Sequence, residues 1–162
     1  GHPTDSTVFV WARLYAWKIS ARWASQRNLI AMILLDTNIC IHIINQRPAH
    51  VIEKFQQYRA GDLGVSSVVA AELAYGVAKS GSQKNRDALE MFLAPFEILP
   101  FDEKSVWAYG ELRSHLEKRG EPIGSLDTLI AAHALSLDAL LITNNVKEFS
   151  KVPKLKLDNW VS

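Results

Sequence analysis

The feature that constrains this chain most is a regular exchange, from residue 32 onward, between short, continuously apolar runs and longer stretches with helical spacing. "MILLD" opens it, four apolar residues and then an acid. Such a run suits a parallel strand covered on both faces, because neither side of it meets water. "TNICIHIINQ" reads as a helix; Pro48 then suits a first helical position, followed by Val51, Phe55 and Tyr58 at helical spacing. "DLGVSS" reads as a second strand and "SVVAAELAYGVAKS" as the helix behind it. Leu89, Phe92, Leu93 and Phe96 mark another amphipathic helix, and "EILPF" a third strand. Asp102 can cap a long helix through Val106, Tyr109, Leu112 and Leu116 that ends at Gly120. "PIGS" leads into the helix "LDTLIAAHALSL"; "ALLITNN" is a fourth strand and "LKLDNW" a fifth at an edge. Strand–helix alternation over this length specifies an α/β domain with a mainly parallel sheet.

The 162 residues suffice for one domain with a real core, and 48% apolar with 22% charged residues is ordinary for a globular protein. Cys40 is the single cysteine, so no internal disulfide forms and a reducing, cytoplasmic setting is expected. No stretch reaches the roughly 18 apolar residues that a membrane-spanning helix needs.

The net charge of +1 divides unevenly. Residues 1–31 hold Arg13, Lys18, Arg22 and Arg27 against Asp5, a net of +3; the remainder carries 14 basic and 16 acidic residues, a net of −2. Bulk charge therefore does not advertise nucleic-acid binding by the main domain. The first 31 residues contain a stripe of Val8, Trp11, Tyr15, Ile19 and Trp23 that could dock on a membrane surface or a partner. "GHP" looks like a tag remnant, however, and Met32 stands where a natural start is expected, so 1–31 is read as a non-native or upstream extension and 32–162 as the functional domain.

In open α/β sheets ligands bind at the carboxyl ends of the strands. Asp36 ends the first strand, Ser66 and Ser67 the second, and Glu72 lies in the helix that follows. Asp127 is near the start of a helix, and Asn145 ends "ALLITNN". Alone, Asp36 is a helix cap and Asp127 a first-turn acid complementing the helix dipole. Glu72 is harder to dismiss: it lies beside the apolar face, where an unpaired carboxylate is costly, with Gly76 leaving room on the same face. Three gathered carboxylates repel one another unless a cation neutralises them, and oxygen ligands without Cys or His favour Mg²⁺ or Mn²⁺. Such a pocket suits phosphodiester hydrolysis.

Other candidates carry less. His133 continues the apolar spacing of Leu126, Leu129 and Ile130 and reads as a packed or interface residue. Cys40 sits on an apolar helix with no histidine-based relay, and neither a GxGxxG nor a P-loop is present.

"LLDTNICIHII", "SSVVAAELAYGVAKS", "GEPIGSLDTLIAAHAL" and "LLITNNVKEF" together resemble the successive motifs of PIN-domain ribonucleases, and among them the VapC toxins of bacterial toxin–antitoxin pairs. The resemblance covers residues 32–160 and implies a PIN-like three-layer α/β/α fold. It implies a metal-dependent endoribonuclease toxin in which Asp36, Glu72 and Asp127 are catalytic and Asp36 and Asp127 ligate Mg²⁺ or Mn²⁺. Where many relatives have a fourth acid this chain has Asn145, whose amide ligates directly or through water without charge and so weakens a second metal site. Asn38 and Thr143 would orient ligands or waters. The implied partners are RNA, with the tRNA anticodon stem-loop as one target, and a VapB-like antitoxin whose basic tail competes for the carboxylates. Homodimerisation would gather Lys79, Lys84, Arg86, Arg113 or Lys118 into a basic rim.

Two rivals remain open on sequence alone. One is a non-catalytic PIN-like module in a nucleic-acid-binding regulatory complex, encouraged by the amide at Asn145. The other is phosphoryl transfer through an aspartyl phosphate, which "DTN" serves poorly because the second Asp of that chemistry is missing.

Overall fold

The computed structural model describes residues 32–162; the tryptophan-bearing stripe of residues 1–31 lies outside the described residues. Numbered from residue 32, the elements are β1 (Ile33–Leu35), α1 (Thr37–Asn45), α2 (Ala49–Gln56), β2 (Leu63–Ser66), α3 (Ser67–Ser80), α4 (Gln83–Leu93), β3 (Glu97–Leu99), α5 (Glu103–Lys118), α6 (Ser125–Ser136), β4 (Leu140–Ile142), α7 (Val146–Phe149) and β5 (Lys156–Asp158). A 3-10 turn, Ala60–Asp62, leads into β2.

All five strands are parallel and lie in the order β3-β2-β1-β4-β5. β1 is central, and Ile33, Leu34 and Leu35 are all buried, as its unbroken apolar run requires. Burying each such side chain is worth about 1.5–3 kcal/mol, which fixes the strand's place firmly. The edge strands β3 and β5 place Glu97, Lys156 and Asp158 in solvent, a charged edge that discourages pairing with another sheet.

Local signals set most element ends. Asp102 caps α5 by accepting from Ser105 N–H at 3.0 Å. Gly120 follows that helix with φ +68°, a left-handed conformation that glycine adopts without strain. Two expectations shift. Pro48 is the residue before α2 rather than its first member, and Tyr58 lies past the helix end, stacked on Trp160 with ring centroids 5.3 Å apart. β4 is only three residues long, so Thr143, Asn144 and Asn145 form a loop that α7 follows.

The chain visits β2 and β3 on one side of β1 and then crosses to β4 on the other. The crevice between β1 and β4 is therefore the switch point of the sheet, where the connections diverge and leave room for a ligand.

Candidate active site

Register places the first two side chains of the site. Leu35 pairs with Ile142, so the next residue of each strand, Asp36 and Thr143, emerge side by side at the carboxyl edge. Asp36 N–H donates to Ile142 O at 2.9 Å, which locks that junction. Asp36 is buried, 5% exposed, and its two oxygens have different tasks. Oδ1 accepts from Thr37 N–H at 2.8 Å, the capping role, while Oδ2 accepts from Thr143 Oγ1 at 2.7 Å. Thr143 Oγ1 in turn accepts from Asn145 N–H at 3.0 Å, so the loop after β4 is built around the Asp36 carboxylate.

Asp127 enters from α6, in the first turn, where the helix dipole favours its negative form. The Gly124 carbonyl accepts both N–H and Oγ1 of Thr128, fixing that turn. Asn145 Nδ2 donates to Asp127 Oδ2 at 3.3 Å, so the amide touches the carboxylate it had been expected to accompany. Glu72 is half-buried on α3 and accepts from Thr37 Oγ1 at 3.3 Å, which answers the cost of leaving it unpaired beside an apolar face. Asn38 is exposed and donates to the Asn144 side-chain oxygen at 3.4 Å, a pairing at the rim.

All three acids have a raised proton affinity, for different reasons. Burial pushes the Asp36 carboxyl above the ordinary range against the pull of Thr143 and Thr37. Glu72 is raised by burial, opposed by the Thr37 hydroxyl, and further raised by the charges of Asp36 and Asp127. Asp127 is raised by burial, then by Asp36 and by Glu148. Mutual repulsion of hard oxygen donors is the condition that a small divalent cation relieves. Among the described residues no group of three or more acidic, histidine or cysteine side chains is placed to hold a metal ion as the side chains stand. The donor chemistry, hard carboxylate oxygens with raised proton affinity, is of the kind such an ion takes, and the Thr37 hydroxyl engages Glu72.

Sequence reasoning passed over Glu148. It stands on α7 three residues beyond Asn145, its charge acts on Asp127, and Lys151 Nζ lies 3.4 Å from its Oε1. Its one signal was that spacing, a single helical turn from a strand-end position. Of the residues named for a basic rim, Arg86 pairs with Glu90 at 3.1 Å and Arg113 with Glu117 at 3.0 Å, both exposed pairs along one helix. Cys40 is buried beneath Asp36 and its thiol is pushed well up by burial and by that neighbouring charge, so it is not a nucleophile.

Beside Glu72 a groove of about 230 Å³ opens between α1, α3 and α4, lined by Thr37, Ile41, Ile44, Gly76 and Val77 among others. A Cβ on Gly76 would meet nothing within 4 Å, so the glycine does leave space beside the glutamate.

The PIN domain family matches residues 33–155. The chain belongs to the PIN-domain family. Among curated relatives, Ribonuclease VapC2 of Rickettsia felis is 44% identical over 129 residues, covering 78% of this chain and 96% of that protein. The tRNA(fMet)-specific endonuclease VapC of Salmonella typhimurium is 34% identical over 128 residues, covering 78% of this chain and 96% of its own. Solved PIN-domain neighbours agree. The toxin–antitoxin complex VapBC2 of Rickettsia felis, bound to a promoter DNA fragment, aligns with a TM-score of 0.74 at 43% identity, over 80% of this chain and 98% of that chain. DNA-bound VapBC of Salmonella typhimurium aligns with a TM-score of 0.76 at 33% identity, over 81% and 99%. Among the described residues no helix of this PIN domain is long and apolar enough to cross a membrane.

Proposed function

We propose that this PIN domain is an endoribonuclease toxin that hydrolyses RNA phosphodiester bonds with Mg²⁺ or Mn²⁺ and is neutralised by a VapB-like antitoxin. The observation that carries the reading is the gathering of Asp36, Glu72 and Asp127 at the sheet's switch point, with proton affinities raised by burial, for Glu72 also by Asp36 and Asp127, and for Asp127 also by Asp36 and Glu148. Relatives at 34–44% identity named as ribonucleases support the same chemistry.

Asp36 and Asp127 would hold the ion. Once bound, it would neutralise the acidic pocket and act as a Lewis acid toward a phosphodiester and its attacking water. The chain's own residues prepare that place. Thr143 and Thr37 fix the Asp36 carboxylate, Asn145 steadies Asp127, and Glu72, with its raised proton affinity, is suited to take a proton from the attacking water. Single-stranded loops are the RNA form that fits, because their backbone can bend into an acidic crevice; the tRNA anticodon stem-loop is the proposed target within that class. The groove beside Glu72 supplies the antitoxin's seat. A segment with apolar side chains against Ile41 and Ile44 would bring a basic residue to the carboxylates.

Purified protein with Mg²⁺ should cut tRNA within its anticodon arm, and Asp36→Asn should abolish cutting with the fold intact. Full activity in Asp36→Asn would sink the carboxylate mechanism, and absence of any turnover by the wild type would favour the non-catalytic module.

A further inference from the structure

Outside the carboxylate site, one buried titratable group has no assigned task. His133 on α6 is 1% exposed; its Nδ1 lies 2.8 Å from Ser66 Oγ, and its Nε2 has no well-formed hydrogen bond among the described residues, although the Pro100 backbone acts on the ring as an acceptor. The Phe101 ring meets the imidazole edge-on, with centroids 5.5 Å apart. A leucine would fill the same space without an orphaned nitrogen, so the contact with Ser66 is what distinguishes the histidine.

The direction of that contact follows from counting protons. Ser66 Oγ already accepts from Val68 N–H at 3.1 Å as the cap of α3. Among the described residues the contact left for its hydroxyl proton is Nδ1 of His133. Donation from Ser66 to Nδ1 leaves one unmet group, the Nε2–H, whereas the opposite tautomer leaves two. Burial pushes the imidazole pKa down, with Asp102 at the start of α5 and the Pro100 backbone pulling the other way, so the ring is neutral near pH 7.

The two ends of this bond matter for the site. Ser66 is the last residue of β2 and the cap of α3, the helix of Glu72. His133 belongs to α6, the helix of Asp127. Further along α6, Ser136 Oγ lies 2.7 Å from His133 O and 2.9 Å from Ser105 Oγ, which lies 3.0 Å from Asp102 Oδ1; the two hydroxyl protons make two of these three contacts hydrogen bonds. Polar side chains of α6 thus lie against the caps of both α3 and α5.

We propose that His133 is a positioning residue: its acceptance of the Ser66 hydroxyl proton fixes the helix of Asp127 against the helix of Glu72, and so sets how strongly the carboxylates hold their ion. It rests on the reading of those carboxylates as a divalent-cation site. A proton arriving on Nδ1 reverses this latch bond, with Nδ1–H donating to Ser66 Oγ and the hydroxyl proton losing its acceptor, so the effect weakens in acid.

The test is Mn²⁺ binding to the full chain, followed by the loss of the free-ion electron paramagnetic resonance signal, for His133→Leu, Ser66→Ala, His133→Asn and Asp36→Asn, with circular dichroism to verify the fold. His133→Leu and Ser66→Ala should each weaken Mn²⁺ about tenfold, the low end for groups outside the coordination layer, and combining them should weaken it no further. His133→Asn, whose Oδ1 takes the place of Nδ1, should stay within about twofold of wild type; a filler role would not be rescued this way. Wild-type affinity in folded His133→Leu or Ser66→Ala overturns the proposal. If His133→Leu does not fold, Ser66→Ala, which removes the same bond together with the α3 cap, is read against Ser66→Gly, which removes both in the same way, and His133→Asn, which keeps both. The proposal then stands only if His133→Asn holds Mn²⁺ like wild type while Ser66→Ala does not. No Mn²⁺ binding by wild type, or undiminished binding by Asp36→Asn, instead overturns the metal reading and the latch with it.

Discussion

Thr143 offers the sharpest test of how the central carboxylate is held. It is fully buried, donates to Asp36 Oδ2 at 2.7 Å and accepts from Asn145 N–H at 3.0 Å. Thr143→Val keeps the shape and removes both bonds. Loss of a hydrogen bond to a charged group costs about 1.5–3 kcal/mol, and leaving the Asn145 N–H without an acceptor adds about 1 kcal/mol. The expected loss at pH 7 is therefore roughly 3 kcal/mol, a large share of the 5–15 kcal/mol typical of a whole domain. Thr143→Ser keeps the hydroxyl and deletes one buried methyl, for about 1 kcal/mol. The sign with pH follows from Asp36. Its folded pKa is already raised by burial, and without Thr143 it rises further. A raised carboxyl destabilises the fold as pH climbs through its folded pKa, so the deficit of Thr143→Val is greatest at neutral pH and shrinks as acid protonates Asp36. Urea unfolding followed by tryptophan fluorescence at pH 7 and pH 5 measures it. A Thr143→Val protein within about 0.5 kcal/mol of Thr143→Ser at pH 7 would refute the claim that this hydroxyl secures Asp36.

The same repulsion predicts that Asp36→Asn, while inactive, melts no lower than wild type in metal-free buffer; a strongly lowered melting temperature would show that the buried carboxylate is structural. Adding Mg²⁺ should raise the wild-type melting temperature and leave Asp36→Asn unmoved, with the gain falling as pH drops and Asp36, Glu72 and Asp127 take up protons at their raised pKa values; chelation should reverse it. Gly76→Ala adds a methyl to open space in a helix and should stabilise the free protein by about 0.5–1 kcal/mol, so a destabilised variant would mean the groove is tighter than described. Cys40, buried and with its thiol pushed well up, should resist a disulfide reagent in native buffer and react only after denaturant is added.

What was legible in the sequence divides along a physical line. β1, β2 and the long helices announce themselves because burial on both faces, or on one stripe, writes a periodic apolar pattern, and Asp102 and Gly120 mark ends through local bonds. Asp36, Ser66 and Asn145 could be placed near one sheet edge because parallel strands put all their carboxyl ends on one side. Glu148, the Thr143 bond and the His133 latch were not legible as such. Glu148 and the His133 latch depend on the turn at which a helix presents a side chain to a neighbour distant in sequence, and the Thr143 bond on the register of β1 against β4, neither of which a spacing rule encodes. Asp36 illustrates the limit best. Read from sequence, a helix cap and a member of a carboxylate cluster are competing explanations. In three dimensions they are compatible, because a carboxylate has two oxygens: Oδ1 takes the Thr37 N–H and starts α1, while Oδ2 takes the Thr143 hydroxyl and anchors the loop after β4. The cap gives the side chain one orientation, and a fixed orientation in a dry crevice lets its charge act on Glu72 and Asp127 rather than dissipate into water. The capping bond is therefore part of the reason the electrostatic cluster exists.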